Sequence, residues 1–317
     1  MAAGHSIERG AIEGFPCVGL VSDAGLRARF VPGAGMVCAS LEDRGVELLG
    51  RRAGLAAYAA RGETLGIPLL HPWANRLARR GFDFAGVRVR WPEAAPGVAS
   101  DAEGLPLHGL MPRASFELVE QGAAAGAARL VAELDFTADP ARAALFPFPH
   151  RLRVSAELRG RTLRLATELR AMGERRVPVA FGWHPWLRLP GVPRADWRVS
   201  LPVGRRLALD ERCLPTGAHE PVSIPPAPLG ARRFDDLFDR LVPGEPFVLE
   251  GGGRRLELAF GAGYELAVVY APLDDDVVCF EPMTAPTNPF DGGSALRTVE
   301  PGGRFEAEFR LSVLAGG

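Results

Sequence analysis

The chain lacks one whole residue type: its 317 residues contain no lysine, so all 37 basic residues are arginine. A lysine is required for Schiff-base catalysis, for anchoring pyridoxal phosphate and for the phosphate loop of nucleotide-binding proteins, so these chemistries are excluded. The arginines are balanced by 38 acidic residues, and the formal net charge is -1. Such a balance predicts no nucleic-acid partner and no binding to an anionic membrane surface.

Cysteine is scarce, and long apolar runs are missing. The four cysteines (Cys17, Cys38, Cys213 and Cys279) are scattered, which argues against a zinc ribbon, a CxxC redox site or a disulfide framework. No apolar stretch approaches the ~20 residues that span a bilayer, and the N-terminus lacks the charged and apolar regions of a signal peptide. We therefore expect a cytoplasmic protein with reduced cysteines.

Alternation of apolar and polar side chains is the main pattern. Residues 151–159 and 163–169 alternate on either side of Gly160-Arg161, which predicts a half-buried β-hairpin. The triple glycine at 251–253 predicts another turn. The same pattern predicts further strands near residues 26–31, 36–41, 46–49, 87–91, 127–135, 254–260, 264–270, 276–281 and 305–313.

Helical patterns are rare. Residues 52–60 and 139–146 can each form a short helix or turn, and the proline-rich segment 221–230 is expected to be a long surface loop. Many short strands with glycine- and proline-rich turns predict an all-β sandwich or barrel. Because strands of one style continue on both sides of the proline-rich segment, we expect a single domain spanning 1–317.

Two segments combine a titratable residue with aromatic neighbours and a following proline. His184 lies in Phe-Gly-Trp-His-Pro-Trp, and Glu281 lies in Cys-Phe-Glu-Pro-Met-Thr. Proline restricts the preceding residue to extended geometry, so both residues are expected at strand ends with little backbone freedom. A rigidly held imidazole and carboxylate form a candidate acid/base pair for a substrate with apolar faces and hydroxyl edges, such as a sugar.

Further segments follow in a recognisable order. The six are Pro-Trp-Ala-Asn-Arg (72–76), Leu-His-Gly (107–109), Phe-Pro-Phe-Pro (146–149), Gly-Trp-His-Pro-Trp (182–186), Phe-Asp-Asp-Leu-Phe (234–238) and Phe-Glu-Pro-Met-Thr-Ala (280–285). In this order they resemble the aldose 1-epimerase (galactose mutarotase) family, over roughly residues 15 to 313.

The resemblance implies an all-β, galactose-mutarotase-like β-supersandwich with few short helices and an open sugar cleft. It implies interconversion of the α and β anomers of a free aldose, without metal or organic cofactor. By this resemblance His184 is the general acid that protonates the ring oxygen, and Glu281 is the general base that deprotonates the C1 hydroxyl. The resemblance implies Arg76, His108 and Asp235 as substrate-binding residues. Asn75 and Trp186 lie within the same motifs and are further candidates for substrate binding.

Several alternatives stay open at this stage. A sister branch acts on hexose 6-phosphates, and Arg79, Arg80 and Arg113 could supply its phosphate pocket. A non-catalytic carbohydrate-binding protein would need the aromatic platform but no His/Glu couple. A glycoside hydrolase would need a second carboxyl group, either Asp235 or Asp236. Other candidates near the site are His71, as a weaker ligand, and the ring platforms Trp73, Trp183 and Phe280.

Overall fold

Strands form most of the fold. The computed structural model describes residues 4–93, 95–124, 126–291 and 296–316. Their strands, in chain order, are β1 (Ser6–Ile12), β2 (Phe15–Val21), β3 (Leu26–Val31), β4 (Val37–Asp43), β5 (Val46–Glu47), β6 (Leu69–Leu70), β7 (Gly81–Phe84), β8 (Val87–Arg90), β9 (Glu117–Ala124), β10 (Ala127–Asp135), β11 (His150–Arg159), β12 (Thr162–Ala171), β13 (Val177–Pro178), β14 (Gly182–Trp183), β15 (Trp186–Leu187), β16 (Arg198–Ser200), β17 (Val203–Leu209), β18 (Pro215–Pro221), β19 (Ala227–Pro228), β20 (Phe234–Leu241), β21 (Phe247–Gly251), β22 (Arg254–Phe260), β23 (Leu266–Ala271), β24 (Val278–Met283), β25 (Thr298–Val299) and β26 (Arg304–Ala315).

Helices in the described residues are short. The α-helices are α1 (Gly54–Arg61), which extends one residue beyond the predicted stretch 52–60, and α2 (Pro140–Leu145), which lies within the predicted stretch 139–146. Asp139 caps α2 by accepting a hydrogen bond from the Ala141 amide, and Pro140 occupies the first helical position. The 3-10 turns are Pro32–Ala34, Met111–Arg113, Phe136–Ala138 and Arg194–Asp196. None of these helices is long and apolar enough to cross a membrane.

The strands pair antiparallel in every described sheet. The N-terminal sheet runs β1-β2-β3-β4-β5. A nine-stranded sheet has the order β19-β16-β21-β22-β26-β12-β11-β10-β9, and an eight-stranded sheet has the order β18-β17-β20-β23-β24-β14-β6, with β15 also paired to β24. Two small ribbons are formed by β7 with β8 and by β13 with β25. The all-β architecture with few short helices expected from the sequence is confirmed.

The predicted alternation places the core between the sheets. In β11 and β12 the apolar side of the hairpin is buried, and the register opposes Leu158 to Leu163 as a two-residue turn at Gly160-Arg161 requires. The opposite face carries pairs of arginine and glutamate, such as Arg164 with Glu308. These surface ion pairs keep the face soluble in water but contribute about 0–1 kcal/mol each to stability. The stability of the core therefore comes from the buried apolar faces of the strands.

The strand pairing of the eight-stranded sheet is interrupted at the point where the candidate acid/base residues lie. On one side of this point Gly182 of β14 opposes Met283 of β24, and on the other Trp186 of β15 opposes Cys279. His184 and Glu281 each lie midway between these two pairs on their own strand. The same register therefore places them opposite each other. The prolines that follow them have no backbone N–H to give to the ladder, so the strand pairing opens at this point.

Candidate functional site

A cleft of about 250 Å³ opens beside this interruption. Its walls come from the eight-stranded sheet, from the residues flanking α1, from the loop after β6 and from the middle of the segment between β8 and β9. All seven residues that the sequence singles out as catalytic or substrate-binding line this one cleft: Asn75, Arg76, His108, His184, Trp186, Asp235 and Glu281.

The imidazole of His184 and the carboxyl group of Glu281 face each other in the cleft. Nε2 of His184 lies 3.3 Å from Oε1 of Glu281, and the two side chains are 6% and 1% exposed. The expectation of strand-end positions holds for His184, which follows β14, and is wrong for Glu281, which lies inside β24. Pro282 is tolerated within β24 because the neighbouring strand is interrupted on that side.

Burial moves both pKa values towards the uncharged forms. The pKa of Glu281 is raised well above its usual value by burial and by the nearby Asp235 carboxylate, against the opposing effect of Arg76. The pKa of His184 is lowered well below its usual value by burial, to which the neighbouring His108 and Arg52 add. Burial therefore favours the uncharged form of both groups.

Trp186 supports the imidazole. Its ring lies parallel to that of His184, with centroids 4.5 Å apart and an interplanar angle of 6°. Residues two apart in extended backbone share a face, which explains how the sequence His-Pro-Trp produces this stack. The guanidinium of Arg52 lies 4.4 Å from the centre of the Trp186 ring, and the Tyr270 ring meets it edge-on at 5.8 Å. Trp186 thus fixes the plane of the imidazole.

Two loops bring Asn75, Arg76 and His108 to the opposite wall. Asn75 and His108 both adopt positive φ angles, 55° and 62°, which turn their side chains out of the extended path. The His108 amide donates to the Asn75 carbonyl at 3.0 Å, so the loops are joined. Nε of Arg76 donates to Oδ2 of Asp101 at 2.8 Å. Burial and the neighbouring arginines lower the pKa of His108 to about 3.

Strand alternation separates Asp235 from Asp236. Asp235 is on the cleft side of β20, where its Oδ2 lies 3.9 Å from the thiol of Cys213. Asp236 is on the other face, and its carboxylate pairs with Nε of Arg206 at 3.1 Å. Asp235 therefore presents a carboxylate to a ligand, whereas Asp236 belongs to an ion pair outside the cleft.

Five polar atoms of the cleft-lining residues are buried and have no hydrogen-bond partner within the described part of the chain. Buried polar groups are normally satisfied, so a ligand rich in hydroxyl groups would complete them. The atoms are Nδ2 of Asn75, Nδ1 of His108, Nδ1 of His184, Nε1 of Trp186 and Oε2 of Glu281.

The other aromatic and histidine candidates lie in the core. Trp73, Trp183 and Phe280 are fully buried and do not line the cleft. Nε1 of Trp183 donates to the Thr167 hydroxyl at 3.1 Å, which is a core hydrogen bond. His71 is also fully buried, and its partner is another histidine behind the site. Among the described residues, no group of three or more His, Cys, Asp or Glu side chains is arranged to hold a metal ion.

The arginines considered for a phosphate pocket are engaged elsewhere. Arg79 pairs with Asp291 at 2.8 Å, Nη2 of Arg80 donates to the Gly104 carbonyl at 3.0 Å, and Nη2 of Arg113 donates to the Ala60 carbonyl at 2.7 Å. The cleft also contains residues that sequence reasoning missed, among them Arg52, Thr64 and Tyr270. Tyr270 shares a strand face with Val268, the partner of Glu281 in β24, and this pairing is visible only in the structure. Arg52 and Thr64 carry no signal in the sequence.

A larger depression of about 850 Å³ lies away from this chemistry, beside the end of β20 and the start of β23. Four of its charged groups pair with one another, Arg205 with Asp239 (2.7 Å) and Arg297 with Glu265 (2.7 Å). The smaller cleft is the better candidate, because the acid/base pair and the unsatisfied polar atoms converge there.

Known proteins show what the chain is similar to. The family model described as aldose 1-epimerase matches residues 21–312. A galactose mutarotase-like protein from Clostridium acetobutylicum superposes with a TM-score of 0.86 at 19% identity, covering 98% of each chain. Galactose 1-epimerase from Lactobacillus acidophilus gives 0.76 at 16% identity, covering 97% of each chain. The aldose epimerase homologue from C. elegans gives 0.72 at 15% identity, covering 98% of this chain and 100% of the other.

No curated protein matches the chain in sequence. At these identities the structural neighbours show the fold alone. The family assignment rests on the family model, which spans most of the chain and includes all of the cleft residues. The chain belongs to the aldose 1-epimerase family.

Proposed function

We propose that this protein interconverts the α and β anomers of a free aldose, with His184 and Glu281 moving the protons. The observation that carries the proposal is their position: the two groups lie 3.3 Å apart at the wall of one cleft. Opening a hemiacetal requires one proton to leave the C1 hydroxyl and another to reach the ring oxygen, and these two oxygens are bonded to the same carbon. Two adjacent acid/base groups suit that geometry.

The reaction requires that His184 and Glu281 together hold one titratable proton. Sugar hydroxyls near the carboxyl group and the Arg76 guanidinium favour the carboxylate form of Glu281, so the proton resides on His184 once substrate is bound. Glu281 then takes the C1 hydroxyl proton while His184 protonates the ring oxygen. The ring opens, the aldehyde rotates about its C1–C2 bond, and reclosure returns both protons with the roles exchanged. Each positioned proton transfer contributes roughly 10²–10⁴-fold to the rate.

The remaining cleft residues hold the sugar in this scheme. The Arg76 guanidinium donates to hydroxyl oxygens, the Asp235 carboxylate accepts from hydroxyl groups, and His108 and Asn75 offer buried polar atoms without partners. Trp186 keeps the plane of the His184 ring. Since each sugar oxygen can both donate and accept, a free monosaccharide matches this mixed set of groups.

A free sugar is favoured over a hexose 6-phosphate. The arginines of the cleft wall already face acidic groups: Arg76 contacts Asp101, Arg61 contacts Glu63, and Arg52 lies 3.6 Å from Asp275. The three arginines that could have formed a separate phosphate pocket are engaged outside the cleft. A dianionic phosphate would therefore meet little uncompensated positive charge.

The test is an anomer-exchange NMR screen with free aldoses, their 6-phosphates and aryl glycosides. We expect faster exchange between the α and β signals of at least one free aldose, and no cleavage of the glycosides. Faster exchange of 6-phosphates alone would assign the sister activity. Sugar binding without faster exchange would make the protein a carbohydrate-binding module, and cleavage of a glycoside would make it a hydrolase.

A further inference from the structure

A pair of histidines lies behind the cleft, where no sugar reaches. His71 and His150 are completely buried, and their Nε2 atoms are 2.7 Å apart. Nδ1 of His150 lies 2.6 Å from the carbonyl oxygen of Phe148. Neither ring lines the cleft, and the proton transfers proposed above do not use them.

The contacts assign the hydrogen on each ring. A carbonyl oxygen only accepts, so Nδ1 of His150 carries a hydrogen and donates it to Phe148. Nε2 of a neutral His150 must then accept, and Nε2 of His71 is its donor. Burial supports neutral rings, because it lowers the pKa of His150 to about 4 and that of His71 well below its usual value. Asp135 opposes the lowering of the His150 pKa, and the guanidinium of Arg142 lies 5.8 Å from the centre of the Phe136 ring.

Aromatic rings hold the pair in place. Phe136 stacks on His150 with centroids 4.5 Å apart and meets the ring of His71 edge-on at 5.3 Å. Phe146 meets both imidazoles edge-on, and Phe181 lies against His71. An enclosure of this kind leaves no space for a ligand, and it leaves the His71–His150 hydrogen bond as the directional contact.

The backbone of His71 leads directly to the cleft. His71 begins the loop that carries Asn75 and Arg76, and its carbonyl accepts the Leu110 amide at 2.8 Å. Gly109 packs so closely that a Cβ there would lie 2.2 Å from the His71 carbonyl oxygen. The neighbouring residue His108 donates its amide to the Asn75 carbonyl. Both loops of the sugar-binding wall therefore meet at His71, and its side chain ties them to the first residue of β11.

We propose that His71 is a positioning residue whose hydrogen bond to His150 holds residues 71–76 and 107–110 so that Asn75, Arg76 and His108 face the cleft. The role for turnover rests on the proposed function, because these three residues are the ones assigned to sugar binding. The alternative is that the pair only stabilises the core. A core role would change the fraction of folded protein and leave each folded molecule with the parent kinetics.

The kinetic test compares His71→Phe, which keeps a ring but has no donor, with His71→Gln, whose amide nitrogen can replace Nε2. Per folded molecule, His71→Phe should raise KM about tenfold with a smaller change in kcat, because binding groups are displaced and the acid/base pair is not. His71→Gln should restore most of the loss. The control Leu163→Ala creates a cavity in the nine-stranded sheet and should keep the parent KM.

Amide hydrogen exchange tests the same proposal without turnover. The amides of His108 and Leu110 should exchange faster in His71→Phe than in the parent, Leu163→Ala or His71→Gln, because their acceptors lie in the released loop. If His71→Phe does not fold, His150→Phe takes its place in the experiment. It removes the acceptor instead of the donor and should raise the same exchange rates. Parent-like KM and exchange in the folded variants would overturn the positioning role. If the parent accelerates no sugar, the proposed function fails, and the exchange data still decide this inference.

Discussion

His184 lies opposite Glu281 across two neighbouring antiparallel strands, with Nε2 and Oε1 3.3 Å apart at the point where the strand pairing is interrupted. Each residue is followed by a proline that cannot donate to the ladder. The interruption opens the sheet beside the two side chains, while the register on either side keeps them aligned. An acid/base pair built into a sheet in this way has little conformational freedom, which favours proton transfer at a defined pair of oxygens.

Replacing Glu281 with Gln should lower the mutarotation rate about 10²–10⁴-fold, because the amide cannot accept the C1 hydroxyl proton. Sugar binding should remain detectable, since the shape of the side chain is kept. Polarimetry on fresh α-D-glucose or α-D-galactose measures the rate, and calorimetry measures binding. Glu47→Gln is the matched control: Glu47 is a partly buried glutamate whose pKa is also raised, and it accepts backbone amides away from the cleft. Parent-like turnover of Glu281→Gln would remove Glu281 from the mechanism.

The pH profile of the rate follows from the directions of the two pKa shifts. Below the lowered pKa of His184 both groups are protonated and no base remains, so the acidic limb should lie below 6.5. Above the raised pKa of Glu281 the pair holds no proton and no acid remains, so the alkaline limb should lie above 4.5. Polarimetric rates from about pH 4 to about pH 9 should therefore lose activity on the acidic side only below 6.5. An acidic limb with its midpoint at 6.5 or above would contradict the lowered pKa of His184.

Replacing Arg76 with Ala should raise KM for a free aldose roughly tenfold to a hundredfold, as expected for the loss of a charge-assisted hydrogen bond of about 1.5–3 kcal/mol. Arg79→Ala is the matched control, because Arg79 pairs with Asp291 outside the cleft. Steady-state kinetics on free and 6-phosphorylated sugars compares the two variants. A larger effect of Arg79→Ala on the 6-phosphate would argue for a phosphate site at Arg79.

Stability should fall as the pH decreases below 6.5, because His150 stays neutral in the folded protein until about pH 4 while its unfolded form takes up a proton. His150 alone should therefore contribute about 1.4 kcal/mol per pH unit across this window, or about 3 kcal/mol in all. Glu281, with a raised pKa, acts in the opposite direction above 4.5. Urea unfolding at several pH values gives the free energy of unfolding as a function of pH. For His150→Gln the slope of this dependence should be smaller by the equivalent of about one proton. An unchanged slope would mean that His150 is already charged in the folded protein.

The sequence by itself predicted the all-β class, several of the strands and seven of the residues that line the cleft. Strict alternation in 151–159 and 163–169 predicted β11 and β12, because side chains of period two can bury only one face of a sheet. The ordered motifs led to His184, Glu281 and Arg76, because the residue types that move protons and bind hydroxyls are few.

Only the tertiary structure decided how these residues meet. The contact between His184 and Glu281 depends on a register between distant strands, and local pattern does not encode long-range pairing. Arg52 and Tyr270 enter the cleft for the same reason. The pairing of His71 with His150 joins a cleft loop to the other sheet, and it also depends on packing between residues far apart in the chain. Burial then sets their pKa values, since desolvation exists only once the sheets have packed.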